Sequence, residues 1–301
     1  MLNTTKLARS ITRASSLQTY YTALLMVDRD LIDDFFRAYA YFRWVDDFID
    51  IYTHTIEERI AFMERQKGLI ELFYNRGTED SLAPQEQIAA DLVRDDRSPT
   101  SGLQSFIRNM MALIEFDAHR KGRLITEEEL RWYTQRLGFS VTDGIQYFVG
   151  NGHPYPREER QYLAAMGAHI AHLLRDMLID IADGFVNIPS EYLEKYDLEP
   201  NAINHAAYKE WVRERVGQAR HFFFEGKQYL NSLDVLRCKI VGHWYCARFE
   251  GVLETIEEDG YILRESYDDR KQLSAWLRML QIWLRVSLQH ALGKPKRIKE
   301  F

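Results

Sequence analysis

Residues Tyr41–Asp50 read YFRWVDDFID, and the way three aspartates interrupt this aromatic and aliphatic run bears directly on the fold. Phe42, Trp44, Val45, Phe48 and Ile49 recur at the spacing of a helix with one face in a core. Asp46, Asp47 and Asp50 sit among them. An ionised carboxylate beside apolar groups is costly unless a cation or hydrogen-bond donors offset it. Each helical residue rises 1.5 Å and turns about 100°, so Asp46 and Asp50 share a face about 6 Å apart, while Asp47 is rotated about 100° away. D-x-x-x-D alone is a weak signal, since acidic pairs at this spacing are common on solvated faces. Either the aspartates face water, or something positive lies between them and a partner.

The theme returns 130 residues later in HIAHLLRDMLIDIADG, His169–Gly184. Asp176 and Asp180 are four apart on another apolar helix, with His172 one turn before and Asp183 one turn after. Arg43 precedes Asp46 by three residues, and Arg175 stands beside Asp176. Two such pairs, each with an arginine, predict carboxylates facing each other across a cavity. Four aspartates carry about −4 and a diphosphate about −3, so hard divalent cations with oxygen ligands, Mg²⁺ above all, are the natural bridge. Arg43 and Arg175 balance the remainder. A transition-metal site on His169, His172 and Asp176 is a weaker alternative, because no partner ligand on another helix is evident.

The bulk of the chain agrees with an enzyme-sized helical protein. Its 301 residues are 46% hydrophobic and 28% charged, enough for a substantial core. A net charge of −6 argues against nucleic-acid binding, which needs a basic surface. Only Cys238 and Cys246 occur, read as two buried thiols in a reducing cytosol. The N-terminal MLNTTKLARSITRASS lacks the apolar core of a secretory signal, and no run reaches the roughly 20 apolar residues that span a bilayer. The expected location is cytoplasmic, with peripheral membrane contact left open: Trp276, Leu280, Trp283 and Leu284, followed by a basic tail, suit a lipid surface as well as the commoner core stripe.

Helical periodicity predicts ten helices at about 15–27, 30–51, 55–75, 84–96, 102–120, 127–149, 157–182, 207–231, 234–258 and 270–292. Thr55 with Glu58, and Thr126 with Glu129, fit capping boxes, and Pro156 suits a first helical turn. Residues 76–83 and 94–102 read as loops. With no linker, repeat or low-complexity tract, the expectation is a single all-α domain over 1–301. No G-x-G-x-x-G or Walker signature is present, which leaves NADPH use undecided, along with oligomeric state and substrate chain length.

These residues resemble the squalene/phytoene synthase family, which joins two prenyl diphosphates head to head, and the likeness runs in order from about residue 12 to 275. YAYFRWVDDFID is similar to the family's first aspartate motif, with Tyr39, Arg43, Asp46 and Asp50 on its positions. HLLRDMLIDIADGFVNIPSEYL resembles the second, with Arg175, Asp176 and Asp180 matched and Ile188-Pro189 following. Asp117, Arg123 and Tyr133 fall on the segment between, and Arg264 on the late arginine segment. The resemblance implies an isoprenoid-synthase helical bundle with a central cavity. It further implies Mg²⁺ on Asp46, Asp50, Asp176 and Asp180, diphosphate contacts from Arg43, Arg175 and Arg264, and roles at the diphosphate or cation for Tyr39 and Tyr133.

Departures from the pattern bear on the product. His172 stands for the Asn opening the second motif, His169 for a nearby Gln and Ile179 for its Glu. Thr19 ends Leu17-Gln18-Thr19, where the family has a Ser-Lys-Ser stretch for diphosphate. Phe139 fills a small-residue segment, and Phe249 replaces a late tyrosine. Three functions follow: a head-to-head prenyltransferase acting through a cyclopropylcarbinyl diphosphate, a terpene cyclase ionising one prenyl diphosphate, or a non-catalytic assembly member.

Overall fold

A computed structural model describes residues 3–53, 55–96, 101–267 and 273–293, with side chains in the last stretch from residue 277 onward. Among these residues the chain is all helix and loop, and an isolated bridge pairs Ile125 with Pro189. The described chain gathers into two compact units, Met1–Gly152 with Asp183–Pro189, and His153–Ala182 with Ser190–Phe301.

In the first unit, α1 (Thr4–Ser15), α2 (Leu17–Met26), α3 (Ile32–Asp47), α4 (Ile56–Tyr74), α5 (Pro84–Asp95), α6 (Gly102–Arg120) and α7 (Glu127–Val149) follow in order. α3 is the hub, packing on α1, α2, α5 and α6, while α6 pairs with α7. Of the apolar face read from the sequence, Phe42, Val45 and Ile49 are buried and Trp44 and Phe48 half-buried, while Phe36, Ala40 and Tyr41 are buried on α3 as well. Both capping boxes are present, Thr55 with Glu58 and Thr126 with Glu129.

α1 is a helix that apolar periodicity missed. Its buried positions are Thr4, Ala8 and Thr12, small residues that leave no large hydrophobic stripe. Polar contacts anchor it instead. The Thr4 hydroxyl donates to Asp91 at 2.7 Å, and Arg9 pairs with Asp33 at 2.6 Å.

The second unit holds α8 (Leu163–Ala182), α9 (Ser190–Tyr196), α10 (Ala206–Ser232), α11 (Leu236–Glu258) and α12 (Leu273–Gly293). α8, α10 and α11 pack on one another, and α12 packs on α11. The approach of α10 to α8 is close enough that a Cβ on Gly226 would lie 2.3 Å from the Ala164 nitrogen. Pro156 does not open a helix, contrary to expectation. An extended Glu158 follows it, a short turn spans Glu159–Tyr162, and its carbonyl instead accepts the Tyr229 hydroxyl at 3.0 Å. Cys238 and Cys246 are buried thiols on α11, as expected.

The last predicted stripe is not the packing face. On α12, Ile282 and Val286 are buried, whereas Leu280, Trp283 and Leu284 are exposed; the Trp276 side chain, the basic tail and part of the 94–102 loop lie outside the described residues. No described helix is long and apolar enough to cross a membrane.

Candidate functional site

The first aspartate motif ends a helix and changes its pitch. The Phe48 N–H is shared between the carbonyls of Trp44 and Val45, and Phe48–Tyr52 form a single π turn. Four α steps overshoot one revolution by about 40°. The wider π turn rotates less per residue, which draws Asp50 back toward the azimuth of Asp46. The Thr53 hydroxyl closes the turn by donating to the Ile49 carbonyl at 2.6 Å.

Like charges gather there without enough compensation. Burial, reinforced by Asp50, pushes the Asp46 carboxyl up to about 7 against the pull of Arg43. Asp50 is also raised, by desolvation first although the residue is exposed; Lys121 opposes this, and Asp117 and Asp183 add to it. Asp117 is raised by burial despite Arg120 and Tyr133. A carboxylate whose surroundings favour its protonated form is one that a metal cation would stabilise.

Arg43 is exposed and hydrogen-bonds Asp47, with its other terminal nitrogen 3.7 Å from Asp46. Asp47, rotated off the shared face, thus holds the arginine beside the motif. Tyr39 is half-buried and within electrostatic reach of Arg43.

Behind the motif lies a built network. The Tyr133 hydroxyl donates to Asp117 at 2.8 Å, and burial drives that phenol well above its usual range. Arg120, only 3% exposed, donates to Asp117 at 2.6 Å and to Asn187 at 2.8 Å. Its guanidinium lies over the rings of Tyr133, Phe185 and Phe116 at 4.8, 5.1 and 5.5 Å. The resemblance pointed to Arg123, which instead pairs with Glu129 at the start of α7. Arg120 was missed, although its place three residues after Asp117 on one helix is a legible signal. The Gly122 N–H donates to the Gly184 carbonyl at 2.8 Å, and both glycines have positive φ. That pairing joins the loop bearing Lys121 to the segment bearing Asp183 and Phe185.

The remaining first-unit candidates are in structural contacts. The Thr19 hydroxyl accepts from Ser16 at 2.9 Å while its N–H donates to the Ser16 oxygen, the N-cap of α2. Phe139 is half-buried on α7 between buried Gly138 and Ser140.

The second motif, on α8, sits in the opposite field. Burial alone would raise Asp176, but hydrogen bonds from Arg175 and His172 outweigh it and hold the carboxyl well below the usual range. Arg175, 8% exposed, grips both Asp176 oxygens, with its Nε at 2.6 Å. His172 Nε2 lies 2.8 Å from the same carboxylate. The Phe249 ring is 5.9 Å from the Arg175 guanidinium and 6.0 Å from the His172 ring. Tyr245, edge-on to Phe249 at 5.2 Å, was not singled out from the sequence, and burial pushes its phenol up to about 12. Asp180 is half-buried in the last turn of α8, and Ile179 is exposed. Arg264 makes a two-pronged contact with Asp259 at 2.5 and 2.8 Å.

Among the described residues no three His, Cys, Asp or Glu side chains form a ready-made metal cage, and His169, His172 and Asp176 are no exception. Mg²⁺ demands less, since it commonly takes one or two carboxylates and completes its shell with water and substrate phosphates. The oxygen-only, under-compensated pair Asp46 and Asp50 fits that requirement.

Comparison with known proteins agrees with the motifs. The squalene/phytoene synthase family model matches residues 13–277. The chain is 26% identical over 206 residues to a 15-cis-phytoene synthase from Synechocystis sp., a match spanning 62% of this chain and 60% of that protein's length. Its structure is similar to the squalene synthase HpnC of Alicyclobacillus acidocaldarius, with TM-score 0.68 at 20% identity over 87% of this chain and 95% of that one. A dehydrosqualene synthase solved with a ligand gives TM-score 0.68 at 15% identity over 95% of each chain. The fold is therefore the helical fold of these synthases, and the chain belongs to the squalene/phytoene synthase family, a family of prenyl-transferring enzymes.

Proposed function

We propose that the chain is a Mg²⁺-dependent prenyltransferase that joins two prenyl diphosphates, farnesyl or geranylgeranyl, head to head through a cyclopropylcarbinyl diphosphate. The observation that carries this beyond family membership is the Asp46–Asp50 cluster, whose carboxyls are pushed up by desolvation first and by neighbouring carboxylates second. Bound Mg²⁺ supplies Lewis-acid stabilisation of the departing diphosphate. Asp46, Asp50, Asp176 and Asp180 are the residues that would hold it.

The chain's own groups do the rest. Arg43, Arg175 and Arg264 contact diphosphate oxygens, each exchanging part of its present carboxylate pairing for the ligand. Arg175 already lies bidentate on a carboxylate, the fork geometry that suits phosphate. Loss of diphosphate leaves an allylic cation, which the double bond of the second substrate attacks; closing the cyclopropane ring then releases one proton, which the departed diphosphate accepts. Tyr39 and Tyr133 offer rings or hydroxyls at that stage, and aromatic faces stabilise such a cation. Arg120 fixes Tyr133 and Asp117 in place, so the wall beside the reacting carbon is rigid. Thr19 helps seat diphosphate, Phe139 limits the length of prenyl chain accepted, and His172 occupies the position of the family's asparagine.

The test is incubation of the purified protein with each prenyl diphosphate, with Mg²⁺ or EDTA and with or without NADPH, followed by mass spectrometry. A metal-dependent product with twice the substrate's carbon count is expected. An unchanged carbon count would make the chain a cyclase, and no turnover by folded protein would leave the assembly role.

A further inference from the structure

Among the described residues at the first motif, Lys121 is a cation that no carboxylate holds. Arg43, Arg120, Arg175 and Arg264 each lie against one. The Lys121 ammonium instead donates to the main-chain carbonyl of Asp50 at 3.4 Å and lies 5.3 Å from the Phe185 ring centre. Both contacts are weak, the first a long bond to a neutral acceptor and the second a half-exposed cation over a ring.

The main chain beneath this side chain is fixed on both sides. The Lys121 N–H closes α6 on the Asp117 carbonyl at 3.3 Å, and the next N–H, of Gly122, reaches the Gly184 carbonyl at 2.8 Å. Gly122 and Gly184 have φ of +85° and +91°, which glycine alone adopts without strain. The loop is set, and the flexible four-carbon stem of the lysine is what can move. Its charge already bears on Asp50, ahead of that of Arg43. An arginine that takes a diphosphate oxygen must loosen its carboxylate, whereas Lys121 gives up one neutral hydrogen bond and no ion pair. A lysine ammonium is also a compact point charge of the kind that binds phosphate. We infer that Lys121 is a diphosphate-binding residue, its ammonium turning from the Asp50 carbonyl onto an oxygen of a diphosphate held at the first motif. The inference rests on the reading of that motif as the Mg²⁺ site.

Calorimetric titration of pyrophosphate into the full chain at saturating Mg²⁺ tests it. Lys121→Met keeps the apolar stem and removes the charge, and should weaken pyrophosphate affinity about tenfold or more with the circular dichroism unchanged. Lys121→Gln repeats the test with a polar side chain, and Lys121→Arg should keep most of the affinity. Arg123→Gln, two residues on and paired with Glu129, should leave it unchanged. A lysine that only neutralised Asp50 would give another pattern: tighter binding of Mg²⁺ alone by Lys121→Met, and an unchanged affinity for pyrophosphate. That pattern, or equal losses in Lys121→Met and Arg123→Gln, would overturn the inference. A parent chain that binds no pyrophosphate in Mg²⁺ would overturn it together with the metal reading. Pyrophosphate binding that depends on Lys121, in a chain that makes no coupled product, would remove the coupling reaction and support this inference.

Discussion

The two aspartate motifs share a spacing and differ in their electrostatics. On α3, Asp46 and Asp50 sit with Asp117 and Asp183 in reach, and their carboxyls are pushed up, Asp46 to about 7. On α8, Asp176 is clasped by Arg175 and His172 and held low. Motif spacing therefore does not fix charge state; the neighbouring cations do. The first motif is short of positive charge and the second carries its own. If both serve one diphosphate reaction, the first depends on the added metal more than the second does.

The largest expected effect is on turnover. Asp46→Ala should abolish metal-dependent product formation, a loss of about a thousandfold or more if the carboxylate stabilises the leaving group through metal, with the helical circular dichroism unchanged. Full activity in this variant would remove the metal assignment. Next comes Arg120→Ala, which removes the buried cation beside Asp117 and Asn187. Breaking a buried pair on one side costs about 3–5 kcal/mol, read as a fall in urea midpoint, while Arg123→Ala should cost only about 0.2–1 kcal/mol as a surface pair. Equal costs would mean that the buried network is not what holds Asp117. Tyr133→Phe, which loses one hydrogen bond to that carboxyl, should cost about 1 kcal/mol.

pH separates the motifs by sign. In EDTA the folded chain keeps the Asp46 proton up to about pH 7, while the ordinary carboxyl loses it near 3.8. The folded state thus binds more protons across that window, and this group's contribution to stability falls as pH rises through it. Asp176 runs the other way: its contribution is present above the ordinary carboxyl range and is lost as pH falls toward its depressed value. Asp46→Asn should flatten the first dependence and Asp176→Asn the second, in urea titrations at stepped pH. The smallest effect belongs to His172→Asn. This half-exposed partner should be worth a few tenths of a kcal/mol, with metal-dependent turnover preserved or raised.

Much of this was legible in the sequence where large apolar residues mark a helix face. α2 to α8 and α10 to α12 announced themselves that way, as did the two capping boxes. α1 did not, because its buried face is Thr4, Ala8 and Thr12 and its anchors are partners far along the chain. Short α9 carried too few residues for a period to register. At the site, the aspartate pairs were readable from spacing and order alone. The π turn after Asp47 was not, since no residue type marks it, and neither was the opposite polarity of the two motifs. That polarity depends on which arginine reaches which carboxylate: Arg120 and not Arg123 at Asp117, Asp47 holding Arg43, and Asp259 holding Arg264.

The most direct measurement is thermal unfolding of Asp46→Asn and Asp176→Asn beside the parent chain, in EDTA and again in Mg²⁺ with pyrophosphate. In EDTA, Asp46→Asn should unfold higher, by the equivalent of about 1 kcal/mol once the half-exposed side chain is allowed for. Asp176→Asn should unfold lower by about 1–3 kcal/mol, because Arg175 is left buried without its carboxylate. Adding Mg²⁺ and pyrophosphate should stabilise the parent and reverse the advantage of Asp46→Asn. Shifts of the same sign in EDTA, or a metal response that Asp46→Asn leaves intact, would contradict the assignment of the first motif as the cation-demanding one.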